Sequence, residues 1–290
     1  MKTAICVAGG VALMVLQPDA ARVLADMRQA LGGDAAIAAL KSFSVSGSES
    51  HSLGGFTSSS DIEFLCALPD RFLHVRRWSS SIGGGTEEWG FNGDARIRRR
   101  NSDLPYPPDP GESDTPAEKA QRDAVTLAHS KREFARIAIA MIGISAIDPV
   151  DVSFVGQETV DGKTADVLAL SATDGYVAKL FVDASTHLPL MISWMGTPIV
   201  TATSSSVVAV RQGQMPGPVS APSFPPLPDP RSLPPVQHQL LFGDYKTADG
   251  FTWPHTLTEK VSGRVYNTIK LGKFKINSKI DDKRFDPSRR

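Results

Sequence analysis

Residues 237–277 read QHQLLFGDYKTADGFTWPHTLTEKVSGRVYNTIKLGKFKIN, a run that is rich in β-branched and aromatic residues. The run is interrupted at Asp249-Gly250 and again at Ser262-Gly263. Such dipeptides supply the positive φ angles that a tight hairpin turn needs. The run therefore predicts three consecutive antiparallel strands.

The middle strand of this meander has two unlike faces, because side chains alternate along a strand with a period of two. Trp253, His255 and Leu257 fall on one face, whereas small polar threonines fall on the other. The first face is mostly apolar, and a packed core, another chain or a ligand must cover it. What covers this face is therefore the question that decides the function.

The length allows one large β-domain or two ordinary ones, and the charge balance gives no argument for nucleic-acid binding. The chain has 290 residues, enough for a sizeable core, and its 31 Lys+Arg balance its 31 Asp+Glu. One local basic run, at Arg96, Arg98, Arg99 and Arg100, is the exception. A solvated strand edge explains this run better than a dedicated anion site does.

The N-terminus predicts a secretory signal peptide over residues 1–20. One basic residue, Lys2, precedes an apolar run at 4–16 that is too short to span a bilayer comfortably. We therefore expect a periplasmic or otherwise exported protein of the bacterial cell envelope. The mature chain keeps one cysteine, Cys66, so its stability must come from a core and not from disulfides.

Helical periodicity appears directly after this segment. Apolar residues at helical spacing predict a helix over 19–31 that ends at Gly32-Gly33, as a glycine C-cap does. Asp34 is predicted to cap a second, short helix over 35–40.

One long helix is predicted in the middle of the chain. Thr115-Pro116-Ala117-Glu118 combines a Thr N-cap, a Pro in the first turn and a Glu three residues after the cap. The helix runs to about residue 142, and its last two turns are apolar on every side. An apolar helix between two groups of strands belongs against the apolar face of their sheet.

Strand signals precede and follow this helix, and with the closing meander they give about twelve strands. Asn-Gly and Asp-Gly turns separate several of them, which is typical of antiparallel hairpins. The triplet Gly83-Gly84-Gly85 is predicted as a turn. The predicted strands before the closing meander are 43–49, 61–68, 71–78, 86–91, 95–100, 152–160, 163–172, 176–183 and 188–195.

A Pro-rich insertion at 197–235 interrupts the strands. It begins with a serine cluster, is crowded with prolines from Pro216 onward, and has too few periodic apolar residues to bury. We interpret residues 21–290 as a single domain that carries this insertion on one edge.

No catalytic motif stands out. The sequence contains no G-x-S-x-G, S-x-x-K, H-E-x-x-H, P-loop or dinucleotide fingerprint. The six histidines do not fall at metal-ligand spacing, and carboxylates such as Glu87, Glu88 and Asp94 fit solvated turns better than an acid–base pair. We therefore expect a non-enzyme with no catalytic residue, no metal and no cofactor.

Several loose motifs together resemble those of the outer-membrane lipoprotein carrier (LolA/LolB-like) superfamily, and the resemblance covers nearly all of the mature chain. It includes the N-terminal helix that ends in Gly-Gly and the long helix. The remaining motifs are Leu68-Pro69-Asp70-Arg71-Phe72, Phe91-Asn92-Gly93-Asp94, Lys179-Leu180-Phe181-Val182-Asp183, Thr186-His187-Leu188-Pro189, Asp244-Tyr245, Asp249-Gly250-Phe251, Pro254, Lys275-Ile276-Asn277 and Phe285.

The resemblance implies a mainly β fold. This is an unclosed antiparallel β-barrel of about 11–12 strands, with an N-terminal helix and a long lid helix packed on the concave face. In the family this face holds acyl chains of lipoproteins or related amphiphiles in the periplasm. Two features depart from the family pattern: the Pro-rich insertion, and arginines at 96–100 where aromatic residues are usual.

We therefore expect a monomeric periplasmic carrier or sensor that binds an acyl lipid or a lipidated protein. Arg76 and Arg98 are candidates for contacts with a head group or with the lid. The candidate pocket-lining residues are Phe64, Trp89, Phe91, Phe134, Ile137, Met141, Leu168, Leu180, Ile192 and Trp194. Ordinary core packing explains each of these residues at least as well.

Two other functions stay open. The first is a non-catalytic protein-interaction module of the cell envelope, with a fully packed barrel and the insertion at 197–235 docking an envelope protein. The second is a hydrolase whose site is built from residues distant in the sequence. A nucleic-acid partner is not expected in either case.

Overall fold

The computed structural model describes residues 19–53, 56–81, 83–103, 115–143, 150–172, 175, 177–199 and 232–289. Residues 1–18 of the predicted signal peptide and 200–231 of the predicted insertion lie outside this part of the chain. The signal peptide and the docking role of the insertion therefore stay predictions.

Twelve strands form one antiparallel sheet. They are β1 (Ser42–Leu53), β2 (Phe56–Ala67), β3 (Arg71–Ser80), β4 (Gly83–Asn92), β5 (Ala95–Ser102), β6 (Val150–Val160), β7 (Lys163–Ala172), β8 (Val177–Asp183), β9 (Pro189–Gly196), β10 (Val236–Ala248), β11 (Phe251–Val261) and β12 (Arg264–Ile276). Their order is β5-β4-β3-β2-β1-β12-β11-β10-β9-β8-β7-β6. Two meanders are thus joined where β1 pairs with β12, and among the described strands β5 and β6 are edges that leave the barrel unclosed, as predicted.

Three α-helices accompany the sheet: α1 (Ala20–Leu31), α2 (Asp34–Ala39) and α3 (Pro116–Ile142). The capping box predicted for α3 is present, because Thr115 Oγ1 accepts from the Glu118 backbone N–H and the Glu118 carboxylate accepts from Thr115. The cap predicted for α2 is wrong. Gly33 occupies its N-cap position, and Asp34 is the first helical residue, which pairs with Arg28 at 2.5 Å.

The closing hairpins turn where the sequence predicted. Asp249 and Gly250 have φ angles of 53° and 84°, and Ser262 and Gly263 have φ angles of 50° and 76°. These left-handed values are those that a two-residue hairpin turn requires.

The turn predicted at the glycine triplet is wrong, because the triplet lies inside a strand. Gly83, Gly84 and Gly85 open β4 and pair with Ser80, Ser79 and Trp78 of β3. A Cβ on Gly85 would lie 2.7 Å from the Trp78 ring. The glycine is therefore needed to let the indole lie across the neighbouring strand, and not to reverse the chain.

The sheet has one face that the helices cover and one that they leave open. We call the covered face concave; it carries Phe43, Phe64 and Leu180, which pack in one cluster with side chains of α1 and α3. The convex face carries Leu65, Leu73 and other apolar side chains in two smaller clusters.

The C-terminal segment covers one of the two convex clusters. A short 3₁₀ helix, Asp282–Phe285, places the Phe285 ring on Leu65, Leu73 and neighbouring residues of β2 to β5, where it is fully buried. The Asn92 side-chain amide donates to the Phe285 carbonyl at 3.2 Å. The tail that the sequence shows as polar is therefore part of the folded domain.

Replacing Phe285 with alanine is expected to destabilise the domain by about 3–5 kcal/mol, because it removes a buried ring and leaves a cavity. The free energy of unfolding in urea measures the effect. Lys283→Ala, two residues away in the same 3₁₀ helix, is the control and should change it by less than about 0.5 kcal/mol. An equally small change for Phe285→Ala would show that the tail is not docked in solution.

Candidate functional site

The concave face beneath α3 is where the predicted pocket residues lie. Nine of the ten candidates belong to its single apolar cluster or pack against it: Phe64, Phe91, Phe134, Ile137, Met141, Leu168, Leu180, Ile192 and, half-buried, Trp194. Trp89 is half-exposed beside them and contacts α3 through its indole N–H. The structure therefore brings the candidates together. The buried end of α3 fills the space between those that lie on the strands.

Aromatic packing fixes the buried end of α3 on the sheet. The Phe134 ring stacks on Phe72 with ring centroids 4.9 Å apart and meets Phe91 edge-on at 5.8 Å. The last turn is held from the other side, because the Trp253 indole N–H donates to the Met141 carbonyl at 3.0 Å. Each aromatic pair adds on the order of 1 kcal/mol beyond the area that it buries.

A polar contact lies next to this aromatic packing. The Glu133 carboxylate accepts from the Trp89 indole N–H at 2.8 Å, and its other oxygen lies 3.1 Å from His74 Nδ1. Burial alone would raise the pKa of Glu133, but the contacts with His74, Trp89 and the nearby His129 outweigh burial and lower it. The Glu133 carboxylate therefore stays ionised and ties α3 to β3 and β4.

A chain of polar side chains crosses the concave face from β12 to β4. The Asn267 amide donates to Glu49 Oε1 at 2.7 Å, and Glu49 Oε2 lies 3.1 Å from His51 Nε2. His51 Nε2 lies in turn 3.5 Å from Arg76 Nη1, and Arg76 is paired with Glu87. Glu49 and Asn267 are only 3% and 7% exposed, so charge is buried on a face that is otherwise apolar.

The opposite side of α3 contacts the other meander. The Arg136 guanidinium lies 4.2 Å from the centroid of the Trp194 ring, and this ring stacks on His238 at 5.3 Å. A cleft of about 590 Å³ opens beside them. Its lining includes Arg132 of α3 and Gln237 of β10 together with Trp194.

The two arginines predicted to contact a head group or the lid lie on the same face as Trp89. Arg76 lies across from Glu87 in the pairing of β3 and β4, with its guanidinium 5.8 Å from the Trp89 ring. Arg98 lies opposite Trp89 on the edge strand β5 and is exposed. Of their basic neighbours on β5, Arg96 pairs with Asp123 of α3 at 2.9 Å and Arg100 pairs with Glu87.

The described residues show neither a metal site nor a membrane-spanning helix. The described residues contain no group of three or more His, Cys, Asp or Glu side chains placed to hold a metal ion. Among the helices that the structure describes, none is long and apolar enough to cross a membrane.

Glu133, Glu49 and Asn267 are the polar residues of the concave face that sequence reasoning missed. Glu133 precedes Ile137 by one helical turn, and Asn267 precedes Ile269 by two residues on a strand, so both stand at positions that periodicity assigns to apolar side chains. A polar residue at a position that should be apolar is the sequence signal that could have identified these contacts. Which partner each would meet depends on the packing of α3, which periodicity does not give.

Comparison with solved structures finds proteins to which this chain is similar over most of its length. A DUF1329 family protein from Desulfovibrio piger is similar over 93% of this chain and 98% of its own, with a TM-score of 0.49 and 13% identity. A LolA superfamily protein from Nitrosomonas europaea is similar over 93% of this chain and 98% of its own, with a TM-score of 0.47 and 12% identity.

The sequence itself matches no protein-family model and no curated protein. The motifs predicted a resemblance to the lipoprotein carrier superfamily, and a LolA superfamily protein is among the solved structures to which this chain is similar. At identities this low the similarity concerns the fold.

Glu133→Gln keeps the size of the side chain and removes its charge. At pH 7 we expect it to destabilise the domain by about 1–3 kcal/mol, because hydrogen bonds to a charged group are lost or weakened. The pKa of Glu133 is lowered from its ordinary value of 4.5 in the folded state. The stabilisation is therefore present above pH 4.5 and is lost as the pH falls through the lowered pKa of the folded state.

Urea unfolding of wild type and variant at pH 7 and pH 3 measures this difference. Glu158→Gln is the control, because Glu158 is exposed and pairs with the exposed Lys179 at 3.1 Å; it should cost less than about 0.5 kcal/mol. A Glu133→Gln penalty that is the same at both pH values would contradict the ion contact.

Proposed function

We propose that this protein is an exported carrier or sensor in the cell envelope that holds acyl chains against the concave face. Its cargo is an acyl lipid or a lipidated protein, which the protein binds without catalysis. The observation that best supports this proposal is the extent of one apolar cluster. The cluster reaches from Phe91 on β4, through the join of β1 and β12, to Val152 on β6.

A single helix end covers much of this surface. Burial along α3 is concentrated in residues 130–142, whereas 116–129 are exposed or half-exposed. Phe134, Ile137 and Met141 fill the place that an acyl chain would take. We therefore propose that cargo enters as the buried end of α3 moves away from the sheet.

The energetics allow such an exchange. Burying eight methylene groups yields roughly 6 kcal/mol before ordering costs. The acyl chain would replace apolar contacts that α3 makes with the sheet. The concave face would therefore stay covered by apolar groups in both the empty and the loaded state. The polar contacts of Glu133 with Trp89 and His74 then set the cost of releasing the helix.

Matched substitutions on the two faces of the same strands test this proposal. Leu168 on β7 and Ile192 on β9 are 0% and 1% exposed and belong to the concave cluster. Val167 and Met191, their neighbours in sequence, are 0% and 6% exposed and belong to a convex cluster. Both pairs are core residues, but only the first pair would touch an acyl chain.

The double variant Leu168→Ala/Ile192→Ala is expected to weaken binding of a C12–C16 fatty acid or lysolipid by about tenfold or more, because several buried methyl contacts are lost. Val167→Ala/Met191→Ala should lower the free energy of unfolding to a similar degree and leave the Kd unchanged. Titration calorimetry on both folded variants gives the comparison. Equal affinities for wild type and both variants would show that lipid does not bind at the concave face.

A further inference from the structure

Two buried oxygen atoms on the concave face accept no hydrogen bond from the described residues. They are Glu49 Oε2 and Asn267 Oδ1, on side chains that are 3% and 7% exposed. The other oxygen of Glu49 accepts from the Asn267 amide at 2.7 Å, so the two unsatisfied acceptors belong to one hydrogen-bonded pair. A buried acceptor without a donor costs on the order of 1–3 kcal/mol.

The charge at this point is negative and persists at neutral pH. Burial alone would raise the pKa of Glu49, but His51, His74 and Asn267 outweigh it and lower the pKa. His51 Nε2 lies 3.1 Å from Glu49 Oε2 without a hydrogen bond of normal geometry, and it is shared with Arg76 Nη1 at 3.5 Å. The imidazole therefore leaves this oxygen incompletely satisfied.

We propose that the Glu49–Asn267 pair binds the primary ammonium group of an amphiphilic cargo. A primary ammonium carries a positive charge and three N–H donors and has no acceptor, so it has enough donors for both oxygens. A hydroxyl offers one donor, and a trimethylammonium offers none. The inference rests on the proposed function, because it assigns the head group of the cargo whose acyl chain lies on the same face.

The position of the pair fits a head group beside an acyl chain. Asn267 shares a strand face with Ile269 on β12, and Glu49 shares one with Val45 on β1. Ile269 and Val45 both belong to the concave apolar cluster. Ile269 lies about 7 Å from Asn267 along the strand face and pairs directly with Glu49 across the strands, so an ammonium at Glu49 would place the following methylenes beside Ile269.

The half-exposed side chains around the pair give access to it. His51 and Arg76 stand between Glu49 and solvent, with 18% and 28% of their side-chain surface exposed. Arg76 shares the Glu87 carboxylate with Arg100, so its charge is partly compensated at the site. An incoming ammonium would displace the His51 ring from Glu49 Oε2 and pair with the carboxylate.

Amphiphiles with one chain length and different head groups test this inference on the full-length exported protein. The probes are dodecylamine, dodecyltrimethylammonium and dodecanoate, titrated calorimetrically below their micelle concentrations at pH 7. Wild type is expected to bind dodecylamine at least tenfold more tightly than either of the others. Glu49→Gln should reduce this preference to about one, because the neutral amide keeps the Asn267 contact and loses the charge.

Two comparisons separate a head-group site from a structural role of the pair. Glu63→Gln removes a carboxylate that pairs with Arg77 and Arg284 and lies outside the concave cluster, and it should keep the preference. If Glu49→Gln fails to fold, the affinities of the wild type for the three probes decide whether the ammonium site exists. Equal affinities for the three probes, or tighter binding of dodecanoate, would overturn the ammonium site and leave the carrier proposal standing. Binding of none of the probes would overturn both.

Discussion

The packing of Phe134 between Phe72 and Phe91 fixes α3 on the sheet. The ring stacks on one of these aromatic residues at 4.9 Å and meets the other edge-on at 5.8 Å, and it is fully buried. Because an unclosed sheet has no second sheet to cover its apolar face, a helix must do so. The position of α3, and through it the burial of the concave face, depends on this contact.

Polar side chains set the limits of that apolar surface. Glu133 lies one residue from Phe134 and joins α3 to Trp89 and His74. Glu49 and Asn267 form a second polar contact, on β1 and β12, where the concave face is no longer wholly apolar. Buried charge is costly unless it is paired. In the proposed carrier, Glu133 would attach the helix and the Glu49–Asn267 pair would bind a head group.

Local sequence signals predicted the elements of the fold well. The Asp-Gly and Ser-Gly turns fixed the closing hairpins, and the capping box fixed the start of α3, because each of these signals acts within a few residues. Gly83 to Gly85 failed as a turn signal because the glycines serve a contact with Trp78 across the strands. Such a contact depends on register, which local patterns do not specify.

The apolar part of the candidate site was predictable, as were Arg76 and Arg98 on the same face, but the other polar residues were not. Residues such as Leu168 and Leu180 alternate along their strands, and alternation places them on one face. Glu133, Glu49 and Asn267 come from three elements that are distant in the sequence. They reach one face only because β1 pairs with β12 and because α3 packs against the sheet. The predicted lining was therefore mainly the core under the helix, and the polar contacts beside it were missed.

Native mass spectrometry of the protein purified from its own cell envelope tests the central claim most directly. If the concave face carries acyl chains, an acyl lipid or an acylated peptide should co-purify at close to one per chain and be released by organic extraction. A mass equal to that of the polypeptide alone, with no complex formed when fatty acids or lipopeptides are added back, would contradict a carrier function.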